Sequence, residues 1–207
     1  MDTLVAFLNA PALVVGRLSA STAELAGALL GVAMVFFNMR VNPLGWPLGI
    51  ASATLYILVF WDARLYGDAV LQAVFVLLGV WGWWQWLRGT QAGGAPLRVR
   101  YLDGRGRLAA LAIAALLWPA TALLLTHATD TDVPWWDAFP TAGSLIGQWL
   151  LGRQYVENWP TWVAVNVVAV ALFSYKGLWL TAGLYALFAL LALAGWRAWA
   201  RRAAEAV

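Results

Sequence analysis

The sequence predicts an all-α integral membrane protein: seven core transmembrane helices, arranged as two parallel three-helix repeats joined by a connector helix. Three observations carry that prediction. Of 207 residues, 63% are hydrophobic and only 11% charged, against roughly 25% charged in a soluble domain. Such a chain lacks the polar surface that water on all sides demands. Seven apolar segments are long enough to cross about 30 Å of hydrocarbon, at roughly 20 residues per helix with allowance for tilt. Finally, a tryptophan-rich stretch occurs twice: adding 113 to residues 46–86 gives residues 159–199 without a gap. Both copies open on Trp-Pro (Trp46-Pro47, Trp159-Pro160) and close on Gly-Trp-x-x-Trp (Gly82 to Trp86, Gly195 to Trp199), with Phe60 on Phe173 and Ala69 on Ala182 between them.

Residues 1–21 read as an N-terminal amphipathic or peripheral helix, with an extra span as the alternative. Leu4–Val15 is apolar, but no basic residue precedes it and Pro11 interrupts it, so a signal peptide is not indicated. The first three-helix bundle, 22–87, holds spans 22–39, 46–62 and 67–87, separated by Asn42-Pro43 and by Asp62-Ala63-Arg64. Residues 88–105, with Gly93-Gly94-Ala95-Pro96 and Arg98, Arg100 and Arg105, read as a linker loop. A connector helix over 106–126 matches neither repeat. The second bundle, 137–199, holds spans 137–153, 160–175 and 178–199, and a tail, 200–207, follows. Three crossings reverse the chain and the fourth restores it. The triplets are therefore parallel repeats, related by a pseudo-twofold axis along the membrane normal, with a cleft between bundles near the midplane. A duplicated apolar unit of this kind points to a transporter built from two halves.

Charge gives orientation and exclusions. One side of this topology holds Arg40, Arg88, Arg98, Arg100, Arg105, Arg107, Arg153, Arg197, Arg201 and Arg202; the other holds Arg17, Arg64 and Lys176. By the positive-inside rule the basic side, with the C-terminus, is cytoplasmic. There is no cysteine, and His127 is the single histidine, so neither a disulfide nor a metal ligand cluster is expected. No phosphate-binding glycine loop, nucleophile or acid/base pair is evident, so neither an enzyme nor a resident cofactor is expected, and no nucleic-acid partner. The expected surroundings are the lipid bilayer.

Polar groups inside the spans are the candidate site, because each carries a desolvation penalty unless partnered. Trp159, Trp162 and Asn166 are spaced i, i+3, i+7, which puts two indoles and a carboxamide on one helix face. Asp68 and Gln72 share a face of the third span; the equivalent positions of the seventh are Thr181 and Tyr185. Asn166 pairs with Ala53 and Trp162 with Gly49, so the copies agree in scaffold residues and differ in polar ones. Interhelical glue would also use Asn and Gln. An asymmetric solute bound between two halves accounts for the mismatch as well. Indoles favour flat or cationic heterocycles and carboxamides read amides or hydroxyls; without a cluster of basic residues in the spans, a phosphorylated solute is disfavoured.

At these residues the chain resembles the PnuC family of vitamin transporters. Trp159-x-x-Trp162-x-x-x-Asn166-x-x-x-x-x-Leu172-Phe173 is similar to a family signature that ends in Tyr, and Phe173 departs from it. Trp46-Pro47-x-Gly49, Leu65-Tyr66-x-Asp68-x-x-Leu71-Gln72, and Lys176 followed by Thr181-Ala182-x-Leu184-Tyr185 also look like family motifs. The resemblance covers about residues 22–199. It implies a 3+1+3 fold similar to the SWEET sugar transporters, a homotrimer in the bacterial inner membrane, and facilitated diffusion of a vitamin trapped inside by a separate kinase. Asn at position 166 is the nicotinamide riboside type, where thiamine-type members tend to carry Asp; riboflavin is a further alternative. The implied substrate-binding set is Trp159, Trp162, Asn166 and Gln72, with Tyr56, Asp68, Lys176, Thr181 and Tyr185 behind them.

Overall fold

The computed structural model describes residues 11–15, 18–62, 66–91 and 93–205. Two short strands, β1 (Pro11–Val15) and β2 (Leu18–Ser21), precede seven helices: α1 (Thr22–Met39), α2 (Gly45–Asp62), α3 (Tyr66–Arg88), α4 (Gly104–Ala128), α5 (Pro134–Gly152), α6 (Asn158–Tyr175) and α7 (Trp179–Glu205). The chain divides into two compact units, Met1–Trp83 and Trp84–Val207.

The expected N-terminal helix is corrected where the chain is described. β1 and β2 pair antiparallel, with Leu13 opposite Ala20 and Val15 opposite Leu18. Pro11 has no amide to donate and Val14 and Val15 are β-branched, so extended backbone wins over helix. Residues 1–10 lie outside the described residues. Ser21 ends β2 and caps α1: its hydroxyl accepts from the Glu24 amide at 3.2 Å while Glu24 accepts from the Ser21 amide at 2.6 Å. This reciprocal pair satisfies two amides that the first helical turn cannot.

Within each unit the backbone repeats residue for residue. After α1, the Val41 amide donates to the Asn38 carbonyl and the Asn42 amide to that of Phe37, both at 3.0 Å; after α5, Gln154 donates to Leu151 at 3.0 Å and Tyr155 to Leu150 at 2.9 Å. These are Schellman closures offset by 113. Both carry a non-glycine residue in the left-handed region, Val41 at φ 57° and Gln154 at φ 59°. The next helices then start at Gly45 and Asn158, end at Asp62 and Tyr175, and are followed by helices that start at Tyr66 and Trp179. Every one of those boundaries keeps the same offset, although the residues at them differ.

In each unit the Trp-Pro tryptophan seats on the glycine of the Gly-Trp-x-x-Trp motif. A Cβ at Gly82 would collide with the Trp46 ring, and one at Gly195 with that of Trp159. Both indoles are buried, at 2% and 3% exposure. Glycine is required there because the ring face occupies the space of a side chain.

The segment 88–103 behaves differently from the expected linker, because it is tied into the second unit. The Arg100 amide donates to the Gln154 carbonyl at 3.1 Å and the Val156 amide to that of Arg100 at 2.9 Å. Arg153 donates to Gln85 Oε1 at 3.0 Å and to the Thr90 carbonyl at 3.3 Å, and the Trp86 indole to the Leu151 carbonyl at 3.0 Å. The boundary between units accordingly falls inside α3, at Trp83, rather than in the loop.

Among the described residues four helical stretches are long and apolar enough to cross a membrane: Thr22–Met39, Ala69–Arg88, Gly104–Ala128 and Thr181–Glu205. The other three expected spans, α2, α5 and α6, are 18 to 19 residues long. They hold Trp46, Pro47, Trp135, Trp136, Pro140, Asn158, Trp159, Pro160 and Asn166, which lower their mean hydropathy. The connector α4 buries Ala122 and leaves Leu108, Leu111, Leu116 and Leu124 exposed. An apolar helix of that kind is at home against hydrocarbon. It meets α5 through Trp118, whose indole donates to the Trp135 carbonyl at 2.9 Å and stands edge-on to Phe139 at 5.6 Å.

Candidate functional site

The second unit gathers most of the expected residues on α6 and α7. Four residues separate Trp162 from Asn166 and seven separate Asn166 from Phe173, so the three form a stripe rising about 6 and then about 10 Å along one face. Trp162 is half-buried against Gly147 of α5, where an added Cβ would lie 3.1 Å from its Cε2. Asn166 is 5% exposed, and its carboxamide has no hydrogen-bond partner among the described residues. Above it Phe173 stacks on Tyr185 of α7, with centroids 5.0 Å apart and planes at 29°, and Tyr185 stands edge-on to Phe188 at 6.2 Å. Thr181, half-buried, sits one turn before Tyr185.

Trp159 plays a different part from the expected one. Its ring is enclosed between Gly195 and Trp199, the latter T-shaped at 5.6 Å. It holds α6 to α7 as Trp46 holds α2 to α3, so it is a packing residue that fixes where Trp162 and Asn166 stand. Lys176 is likewise engaged elsewhere. It caps the far end of α6, ten residues and about 15 Å beyond Asn166, and its Nζ donates to both oxygens of Asp137 at 2.9 and 3.2 Å. Thr131 donates to the same carboxylate.

In the first unit, Tyr56 lies over Gly27, donates to the Glu24 carbonyl at 3.4 Å and stacks on Phe60 at 5.8 Å. Gln72 is half-buried on α3. The side chain of Asp68 lies outside the described residues. Phe60 and Phe173 are equivalent positions, yet their tyrosine partners come from different places: Tyr56 from the same helix, Tyr185 from the neighbouring one. The Phe173–Tyr185 stack is what a residue-by-residue reading misses.

The stripe is uncharged. No Asp, Glu, Lys or Arg occurs in 138–152, 158–175 or 177–196, and no His, Cys, Asp and Glu group able to hold a metal exists among the described residues. An indole, an open carboxamide and an aromatic pair suit a flat ring with polar handles, held by stacking and hydrogen bonds rather than by ion pairing.

Residues 21–201 match the family model described as nicotinamide mononucleotide transporter. The chain belongs to this family, the PnuC family. It is 26% identical to the nicotinamide riboside transporter PnuC of Escherichia coli (strain K12), over 92% of this chain and 90% of that one. It is 30% identical to the riboflavin/roseoflavin transporter RibM of Streptomyces davaonensis, over 93% and 91%. The fold matches a crystal structure of the vitamin B3 transporter PnuC with TM-score 0.72 at 21% identity, covering 88% of this chain and 82% of that one. As a member of the PnuC family the chain is a multi-pass membrane vitamin transporter and not an enzyme.

Proposed function

We propose that this transporter carries nicotinamide riboside across the bacterial inner membrane by facilitated diffusion, with a separate kinase trapping the solute inside as a precursor for NAD synthesis. The observation that carries the reading is Asn166, a 5%-exposed carboxamide without a partner among the described residues, between the Trp162 indole and the Phe173–Tyr185 stack. A pyridinium brings its own positive charge, which an indole face accepts. Its carboxamide and ribose need neutral donors and acceptors, and Asn166 supplies both. Thr181 and Tyr185 complete the polar set in this proposal. Engagement of Lys176 by Asp137 removes a cation that a phosphate would need, which favours the riboside over the mononucleotide. Seven spans in a SWEET-like 3+1+3 order, a C-terminus in the cytoplasm and a homotrimer belong to the same proposal.

Riboflavin is a second reading, supported by the 30% identity to the Streptomyces davaonensis transporter, because an isoalloxazine is also a flat ring with polar handles that an aromatic and carboxamide stripe suits. Calorimetric binding of nicotinamide riboside, riboflavin, thiamine and nicotinamide mononucleotide to purified protein, followed by uptake into proteoliposomes, decides between them. Saturable binding of nicotinamide riboside alone supports the proposal. Binding of riboflavin with indifference to nicotinamide riboside overturns it.

A further inference from the structure

Away from the stripe, the second unit has a cleft of about 210 Å³ at the ends of its helices, lined by Tyr101, Arg107, Val156, Glu157, Pro160 and Trp196. Its polar atoms are unevenly spent. The one carboxylate, Glu157, is already satisfied: it accepts from the Leu102 amide at 3.1 and 3.2 Å and from Arg107 Nε at 2.9 Å. The donors are open. Arg107 gives only Nε to Glu157 and keeps its side chain 54% exposed, which leaves both terminal guanidinium nitrogens without a partner among the described residues. Tyr101, 46% exposed, lies 5.7 Å from that guanidinium, and Trp196 is 39% exposed. Neither the Tyr101 hydroxyl nor the Trp196 indole nitrogen has a hydrogen-bond partner among the described residues. The rest of the lining, Val156 and Pro160, is apolar.

A cleft whose acceptor is used and whose donors are free suits an anion with an apolar body. The surroundings say which one. From Trp196, the exposed Leu193 and Leu190 continue along α7 away from the helix end, a track for an acyl chain. In the other direction Arg197, Arg201 and Arg202, together with Arg105 at the start of α4, are exposed and form no ion pair among the described residues. We propose that this cleft is a binding site for an anionic phospholipid, its phosphate on the free nitrogens of Arg107 and its acyl chain along Trp196, Leu193 and Leu190. Basic pockets between transmembrane helices recognise such head groups, and aromatic side chains settle at that depth.

The test uses full-length purified protein in detergent, with melting temperature and native mass spectrometry as readouts. Phosphatidylglycerol is compared with phosphatidylcholine, and inorganic phosphate is run as a separate arm. The expected result is a rise in melting temperature and retained adducts with phosphatidylglycerol only. Arg107→Gln is expected to weaken the lipid about fivefold, the worth of one basic side chain at an anionic surface, and Trp196→Ala to weaken it as well. Because Arg107→Gln also breaks the ion pair, Glu157→Gln is the decisive variant. It keeps an oxygen for the Leu102 amide and removes the negative charge, so lipid binding is expected to stay as tight or tighten, whereas a purely structural role for the pair predicts loss. Equal stabilisation by both lipids, full reproduction by inorganic phosphate, or weaker lipid binding in Glu157→Gln overturns the proposal.

Discussion

Gly147 on α5 lies against the indole of Trp162 on α6, 3.1 Å from its Cε2 to an added Cβ, and the equivalent pair in the first repeat is reversed. There Met34 on α1 is the large residue and Gly49 on α2 the small one, with the Met34 sulfur 2.6 Å from the Cβ that Gly49 lacks. One turn further, at the corner, the carboxamide changes helix. The Asn38 carboxamide fills the place that a side chain on Gly45 would take, while in the second repeat the position equivalent to Gly45 is Asn158, whose own carboxamide donates to the Tyr155 carbonyl at 2.6 Å. At the Gly147–Trp162 level, two backbones of one shape are thus filled from opposite helices. In the second repeat the bulk at this level comes from α6, which is how an indole reaches the level of Asn166.

The reversal predicts a rescue. Gly147→Met is expected to destabilise the protein by about 1–3 kcal/mol, as overpacking does. Adding Trp162→Gly rebuilds the first-repeat arrangement and is expected to restore most of that loss, a coupling of about 0.5–3 kcal/mol for residues in contact. Solute binding is expected to be lost in the rescued protein. Melting curves alongside calorimetry with nicotinamide riboside check both parts; recovered stability with intact affinity would separate Trp162 from the solute.

Two glycines of α7 should respond with opposite signs. Gly195 faces the Trp159 ring, which is buried and cannot swing away, so Gly195→Ala is expected to lower stability by about 1–3 kcal/mol. Gly183 has open space around its missing Cβ, and its counterpart in the first repeat is Val70, 63% exposed. Gly183→Ala is expected to raise stability by as much as about 1 kcal/mol, the helix-propensity difference. A thermal shift of the same sign in both variants would contradict the packing described for Trp159.

The helical repeat was legible because its signals are redundant. The offset of 113 that aligns Trp46 with Trp159 also sets the Val41 and Gln154 turns and the helix starts at Gly45 and Asn158, where the residues do not match. The N-terminal hairpin was hidden because an apolar run with few breakers suits either a helix or a strand, and Val14-Val15 tips the balance only once β2 is there to pair with it. In the site, spacing put Trp159, Trp162 and Asn166 on one face. It could not show that Gly195 and Trp199 enclose Trp159, while Gly147 leaves Trp162 half-buried, since those contacts lie on other helices. Lys176 read as a lone cation at a helix end, behind the implied set, for the same reason: Asp137, its partner, is 39 residues away.

That ion pair predicts a small effect. Lys176 and Asp137 are 30% and 21% exposed, and a partly solvated pair of this kind contributes about 1 kcal/mol or less. Lys176→Met is therefore expected to shift stability by no more than that and to leave nicotinamide riboside affinity within about twofold, since a contact worth a hydrogen bond would cost more. A tenfold loss in calorimetry would return Lys176 to the site.

Asn166 predicts the reverse division between stability and binding. A buried carboxamide without a partner stabilises nothing in the folded chain and carries a desolvation penalty, so Asn166→Leu, which keeps the branching at Cγ, is expected to melt at the same temperature or higher. The solute is what its donor and acceptor await, and losing both is expected to weaken nicotinamide riboside binding by roughly tenfold to a hundredfold, the worth of one to two hydrogen bonds in a dry site. Asn166→Asp sharpens the point. It keeps the shape but replaces the donor to the riboside's amide oxygen with a second acceptor, so it should shift preference toward thiamine, whose aminopyrimidine offers N–H donors. Unchanged affinities for both solutes in the Leu and Asp variants, with a lowered melting temperature, would make Asn166 a helix-packing residue and the stripe no binding site.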